Sequence, residues 1–229
     1  MLAFEASPAA ADTATFRHPA GPASHAMDDV YRAVLGVTVT IFVLVGGWLL
    51  YSALRFRVRP GEPDVEPPQV RGSFRLELGW TIAPVLVLVA LAAYTLDNVG
   101  TVKNAPSSSM VVNVKAQQFS FTYLYGAKSG ASGKAPSTPS TLVVPVDTPV
   151  KLLVRSIDVD HDWWVPALGP KIDAIPGQTN TTWFQADHTG TYTGQCAEFC
   201  GLGHATMTIT VKVVSQTDWN AYTAKLART

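Results

Sequence analysis

From Ala33 to Leu54 the chain reads AVLGVTVTIFVLVGGWLLYSAL, 22 residues without a charged side chain. At ~1.5 Å of rise per residue, a helix of this length matches the ~30 Å hydrocarbon core of a bilayer. Core helices of soluble proteins seldom sustain an uncharged run beyond ~18 residues, so the segment predicts a membrane span. A second uncharged run, Leu78 to Leu96 (LGWTIAPVLVLVALAAYTL), predicts another, with Pro84 near one end, where a helix tolerates it best. The residues before the first run lack a short apolar core with a small-residue cleavage site, so no removable signal is expected.

Arginines set the orientation. Arg55, Arg57, Arg59, Arg71 and Arg75 crowd the short connector, which is therefore predicted to face the cytoplasm. The N-terminal tail balances Arg17 and Arg32 with Glu5, Asp12, Asp28 and Asp29 and is expected outside. Trp48, Tyr51, Trp80 and Tyr94 lie near the span ends, as interfacial aromatics do. The expected plan is an extracytoplasmic tail over 1–30 and a hairpin over 31–98, with spans at about 31–54 and 78–97 and a connector at 55–77. An extracytoplasmic domain over 99–229, about 130 residues, is large enough to bury its own core.

After the second span, long apolar runs give way to short alternating segments punctuated by Gly, Pro and Ser, the pattern of an all-β domain. QFSFTYLY puts Phe119, Phe121, Tyr123 and Tyr125 on one face, and TMTITVKVV does the same with Met207, Ile209, Val211 and Val213. With TLVVPV, PVKLLVRS, TNTTWFQA and GTYTGQ between them, six or seven strands are expected, a number that suits a two-sheet sandwich. GAKSGASGKAPSTPS reads as a flexible loop. Ser215 and Asp218 stand in capping-box spacing, so SQTDWNAYTAKLA is expected to close the domain with a short amphipathic helix.

The only two cysteines fall in GQCAEFCGLGHATM. A disulfide between Cys196 and Cys200 would suit an oxidising compartment. It would close few residues, restrain the unfolded chain little and leave His204 and Met207 at that spacing unexplained. A metal explains all four, because thiolate, imidazole and thioether are ligands that suit copper. His161, in SIDVDHDWWVP after the strand PVKLLVRS, is the candidate second histidine. Two Cys, two His and one Met exceed the needs of one blue copper ion and suit two copper ions sharing Cys196 and Cys200. His18 and His25 read as solvated tail residues and His188 as a turn residue.

These segments resemble subunit II of haem–copper cytochrome c oxidase. The resemblance rests on two spans before a cupredoxin domain, on ELGWTIAP (Glu77 to Pro84), on DVDHDWWVPALGPKIDAIPG and on GQCAEFCGLGHATM. It implies a membrane-anchored all-β fold: a two-helix hairpin, then a cupredoxin-like sandwich with a short C-terminal helix. It further implies the dinuclear copper centre CuA. Cys196 and Cys200 would bridge, His161 and His204 would be terminal ligands, Met207 a weak ligand and the Glu198 carbonyl the last. The Glu198 carboxylate would reach a magnesium ion at the boundary with subunit I, and Glu77 would lie near the cytoplasmic mouth of a proton path. The implied role is electron input to a proton-translocating terminal oxidase. Electrons would come from cytochrome c or another small redox protein and pass to haem in subunit I, where oxygen is reduced to water. Implied partners are subunit I, other oxidase subunits and the lipid bilayer, with no nucleic acid. The setting is the bacterial plasma membrane or the mitochondrial inner membrane, with both termini extracytoplasmic.

Three positions depart from the family pattern. The aromatic run that receives electrons usually contains tryptophan, whereas AQQFSFTY has none, so Phe119 or Phe121 must stand in. The following loop, acidic in many relatives, carries Lys128 and Lys134; from Gly100 on, ten Lys and Arg oppose eight Asp and Glu, a balance of +2. Asp158, Asp160 and Asp162 around His161 remain as a small local acidic face. Gln178 follows AIPG where arginine is usual. The alternatives are the same module serving a haem–copper nitric oxide reductase, or a membrane-anchored copper chaperone, usually a thioredoxin-like fold. No Cys-x-x-Cys-His is present, so no haem is expected in this chain.

Overall fold

A computed structural model describes residues 18–57, 61, 68–69, 72–126, 137–139 and 141–226. Arg17, Arg59, Arg71, Lys128, Lys134 and the tail acids Glu5 and Asp12 lie outside the described residues. The chain divides into two units: Asp29–Asp97, and Met1–Asp28 together with Asn98–Thr229.

The first unit carries most of two helices, α1 (Pro22–Arg55) and α2 (Phe74–Lys103). Both extend beyond the apolar runs that announced them: α1 begins eleven residues earlier, at Pro22 rather than Ala33, and α2 runs several residues further at each end. A helix need not stop at the edge of a bilayer, and polar residues continue both helices. Phe42, Leu44, Leu49, Leu86 and Leu88 are exposed, and none of the most apolar window of either helix is buried within the chain. Surfaces apolar all round belong in lipid or against other helices. Thr38, Thr40, Thr81 and Thr95 return their hydroxyls to the carbonyl four residues earlier, which removes their donors from the apolar surroundings.

Among the described residues, the second unit is a sandwich of ten strands rather than six or seven. One sheet runs β3 (Ser137–Pro139), β2 (Ser120–Tyr125), β1 (Met110–Gln117), β5 (Val150–Ser156), β8 (Asn180–Phe184). The other runs β4 (Thr141–Pro145), β10 (Thr208–Val214), β9 (Gly190–Cys196), β6 (His161–Trp164), β7 (Ile172–Ala174). The pairs β1–β5 and β10–β4 are parallel, and the remaining ladders are antiparallel. The expected loop after β2 therefore contains a short edge strand, β3. The strands that pattern reading missed are β1, β3, β6 and β7.

Alternate residues fill the space between the sheets: Val112, Val114, Leu152 and Val154 from one, Trp163, Ile209, Val211 and Val213 from the other. Phe121 and Tyr123 join them as expected, but Phe119 lies in the β1–β2 turn and not on the core face. The helix α3 (Gln216–Leu226) starts at the expected cap: Ser215 Oγ meets Asp218 Oδ2 at 2.7 Å and accepts the Asp218 N–H at 3.2 Å. Trp219 and Tyr222 then pack on Tyr125. Strands do not alternate with helices in this domain, so it lacks the thioredoxin-like layout expected of a copper chaperone. Residues 18–28, which include the start of α1, also belong to this unit. The Ala20 N–H donates to Ala167 O, the Asp187 N–H donates to Ala20 O, and His25 Nε2 pairs with Asp187 Oδ2 at 3.3 Å.

Candidate metal centre

Three segments converge at one end of the sandwich: the β1–β2 turn, the approach to β6, and the loop from β9 to β10. Ladder pairing brings β6 beside β9, with Trp163 opposite Cys196. His161 starts β6 and faces the core with 0% exposure, one strand away from Cys196. The loop after Cys196 is tied back by its own backbone. The Cys196 N–H donates to Met207 O, the Met207 N–H to His204 O, and the His204 N–H to Gly201 O. Ala197 N–H donates to Asp162 O, which joins this loop to β6.

The donor atoms form a chain with a histidine at each end. His161 Nδ1 is 3.9 Å from Cys196 Sγ, the two sulfurs are 3.9 Å apart, and His204 Nδ1 is 3.7 Å from Cys200 Sγ. Met207 Sδ lies 3.8 Å from Cys200 Sγ, and the Glu198 carbonyl oxygen 3.2 Å from Cys196 Sγ. Both cysteines are free and buried, which answers the disulfide alternative for this structure. Separations near 3.8 Å are those of two donors sharing one metal at bond lengths of about 2.0–2.3 Å and near-tetrahedral angles. Donor set and spacing therefore fit copper, and the order His–Cys–Cys–His suits two ions sharing the sulfurs. Burial, reinforced by the charge of Cys196, pushes the Cys200 thiol up to about 11. A metal cation offsets that penalty by binding the thiolate.

All six residues proposed from the sequence meet here; Glu198 presents its backbone to the sulfurs while its side chain is exposed. Phe119 and Phe121 separate clearly. Phe121 is 1% exposed, edge-on to His161 with centroids 6.4 Å apart. Phe119 is 40% exposed and lies against the ligand loop. A Cβ on Gly203 would stand 2.5 Å from its ring, and one on Gly201, whose φ is +128°, would stand 3.4 Å from it. Glu77 is in the first turn of α2, away from these residues in sequence, and belongs to the other unit.

The three aspartates around His161 have three different fates. Asp158 Oδ1 accepts His161 Nε2 at 2.9 Å, leaving Nδ1 toward the sulfurs. Burial opposes its ionisation. Hydrogen bonds from the Gln118 N–H, His161, the Val159 N–H and Ser156 outweigh it and hold the carboxyl down at about 2. Asp162 is buried, with Lys171 Nζ 3.7 Å away; burial, with Asp173 adding, pushes it up to about 7. Asp158 and Asp160 both stay exposed, Asp158 while bonded to His161, so the small acidic face expected from three carboxylates loses only the buried Asp162. Gln118 was missed from the sequence: its backbone N–H donates to Asp158 Oδ2 and its side-chain Nε2 to Cys200 O, each at 2.7 Å. An amide in the turn between β1 and β2 carries no pattern that would mark it.

The family model for the periplasmic domain of cytochrome c oxidase subunit II matches residues 110–214. That for its transmembrane domain matches residues 9–97. The chain is similar to cytochrome c oxidase subunit 2 of Cereibacter sphaeroides, with 32% identity over 85% of this chain and 73% of the relative. It is also similar to a probable cytochrome c oxidase subunit 2 of Rickettsia prowazekii (strain Madrid E), with 29% identity over 92% of this chain and 71% of the relative. Among solved structures it resembles the periplasmic domain of subunit II of cytochrome oxidase of Bradyrhizobium japonicum. The TM-score is 0.50 at 30% identity, covering 55% of this chain and 98% of that one.

Proposed function

The chain belongs to the cytochrome c oxidase subunit II family, and from that premise we propose that it is the electron-input subunit of a proton-translocating terminal oxidase. It accepts electrons from an extracytoplasmic carrier such as cytochrome c and passes them to haem in subunit I. His161, Cys196, Cys200, His204, Met207 and the Glu198 carbonyl would hold a dinuclear copper centre. Once bound, the copper pair supplies a one-electron site whose charge is spread over two ions. The observation that carries this reading is the run of close donor pairs, His161–Cys196, Cys196–Cys200 and Cys200–His204, with 3.7–3.9 Å within each pair.

The protein's own contribution is rigidity. His161 and Cys196 project from paired strands, and the backbone hydrogen bonds of the ligand loop hold Cys200, His204 and Met207. Donors fixed before an electron arrives need little rearrangement afterwards, which favours fast transfer at small driving force. Phe119 is the electron-accepting aromatic on this reading, because it is both exposed and seated on the ligand loop, while Phe121 packs under His161. Glu198 would offer its exposed carboxylate to magnesium at the subunit I boundary, and Glu77 would stand near the proton path.

Both termini are proposed to lie outside the membrane, with the Arg55–Arg75 connector in the cytoplasm. In support, the residues just before α1 hydrogen-bond to the sandwich through Ala20. The full chain, reconstituted with copper, tests the function by metal analysis and electron paramagnetic resonance. Two coppers per chain sharing one unpaired electron are expected; one copper, or none after full reduction of the thiols, would refute it.

A further inference from the structure

We propose that Gln118 is a positioning residue that clamps the donor-facing turn to both ligand-bearing segments and tunes the reduction potential of the centre. The inference rests on the copper reading above and assigns a role that the ligand set alone does not contain. Two arms leave this one residue. The backbone N–H reaches Asp158 Oδ2 at 2.7 Å, and the other oxygen of that carboxylate holds His161 Nε2 at 2.9 Å. The side-chain amide reaches Cys200 O at 2.7 Å, across 82 residues of sequence. One arm thus orients a terminal imidazole and the other fixes the backbone that carries a bridging sulfur.

The next residue, Phe119, presses its ring against Gly201 and Gly203 on the same loop. A Cβ on Gly201 would stand 2.9 Å from Gln118 Nε2, so the glycine leaves room for the amide as well as for the ring. The turn where a donor would arrive is therefore pinned to the metal ligands on both sides, and a displacement of Phe119 reaches His161 and Cys200 through hydrogen bonds.

The amide also has a sign. Its N–H directs positive charge at the Cys200 backbone, which disfavours the more positive, oxidised centre. Removing the donor should lower the reduction potential, and replacing it with a carboxylate should lower it further. Gln118→Met keeps the side-chain length without the donor, and Gln118→Glu replaces donor with charge. Tyr125→Phe serves as a control, since that hydroxyl donates to Val143 O and accepts the Val143 N–H, both on β4.

The experiment is a potentiometric titration of the copper-loaded full chain in detergent, followed by electron paramagnetic resonance, with copper content and circular dichroism recorded alongside. Reduction by a soluble c-type cytochrome is timed on the same variants in the assembled oxidase. Expected are potentials in the order wild type, Gln118→Met, Gln118→Glu, from highest to lowest, with altered copper hyperfine splitting and the control unchanged. Cytochrome-driven reduction should slow about three- to tenfold in Gln118→Met, the scale of one hydrogen bond. Wild-type potential and splitting in both variants would overturn the proposal. So would equal falls in both, which would mark loosening without an electrostatic effect, and so would loss of the fold in both, which would make Gln118 a support of the sandwich at large. A wild-type chain without a shared-electron copper spectrum would instead overturn the copper reading on which the proposal stands.

Discussion

His161 has one ring nitrogen for the sulfurs and one for Asp158, and that division settles which nitrogen is free to bind a metal. The Asp158 carboxylate is itself held by four donors, so it resists reorientation. Asp158→Asn should lower copper affinity about 10–100-fold, the usual effect of losing a ligand's supporting carboxylate. The potential should rise, because a negative charge beside the oxidised centre is gone; competition with a copper chelator and a redox titration check both. A second residue-scale effect concerns space. Gly203→Ala puts a methyl 2.5 Å from the Phe119 ring, against a ring that has no flexible end to yield. Overpacking of this kind costs about 1–3 kcal/mol. Thermal unfolding should register that loss, and reduction by cytochrome should slow because Phe119 is displaced, while copper content stays unchanged.

At the scale of elements, the β6–β9 ladder decides whether the centre exists, since it joins His161 to Cys196 over only two residue pairs. Gly194 makes the close approach possible: a Cβ there would meet Trp164 O at 2.1 Å and Val165 Cγ2 at 2.7 Å. Gly194→Ala should therefore separate the two strands. It is expected to destabilise the domain by at least about 1–3 kcal/mol and to weaken copper uptake as well; chemical denaturation of apo and copper-loaded samples separates the two effects. The same ladder explains what could be read in advance. Cys196, Cys200, His204 and Met207 occupy twelve consecutive positions with a ligand-like spacing, so local sequence exposed them. β6 and β7 are four and three residues long and include charged Asp162 and Asp173, so alternation had too few positions to reveal them. The fates of Asp158, Asp160 and Asp162 were equally illegible, because their spacing is uniform while a bend just before β6 gives each a different surrounding. The spans were legible for the opposite reason: membrane thickness imposes a length that few other structures need.

For the whole molecule, the proposed role turns on what would draw an electron donor to the end that carries the candidate ligands. Phe119, Ile157, Val159, Phe199 and Leu202 are exposed on the segments that carry or adjoin the ligands. Asp162 is buried, so the exposed carboxylates flanking His161 are Asp158, which is bonded to it, and Asp160, a patch of only two charges. From Gly100 onward the chain has a balance of +2, so no long-range negative field compensates. Electrostatically steered pairs gain about 10–10³ in association rate and lose it steeply with salt, since the screening length is already ~10 Å at 0.1 M. A pair that meets through apolar contact has little such gain to lose. The rate constant kcat/KM for a soluble c-type cytochrome should thus change by less than about threefold between 0.05 and 0.2 M ionic strength, a window over which charge-steered rates fall sharply. Steady-state oxidation measured across that range decides the matter: a fall of tenfold or more would mean that charges in the segments outside the described residues, or on partner subunits, form the docking field.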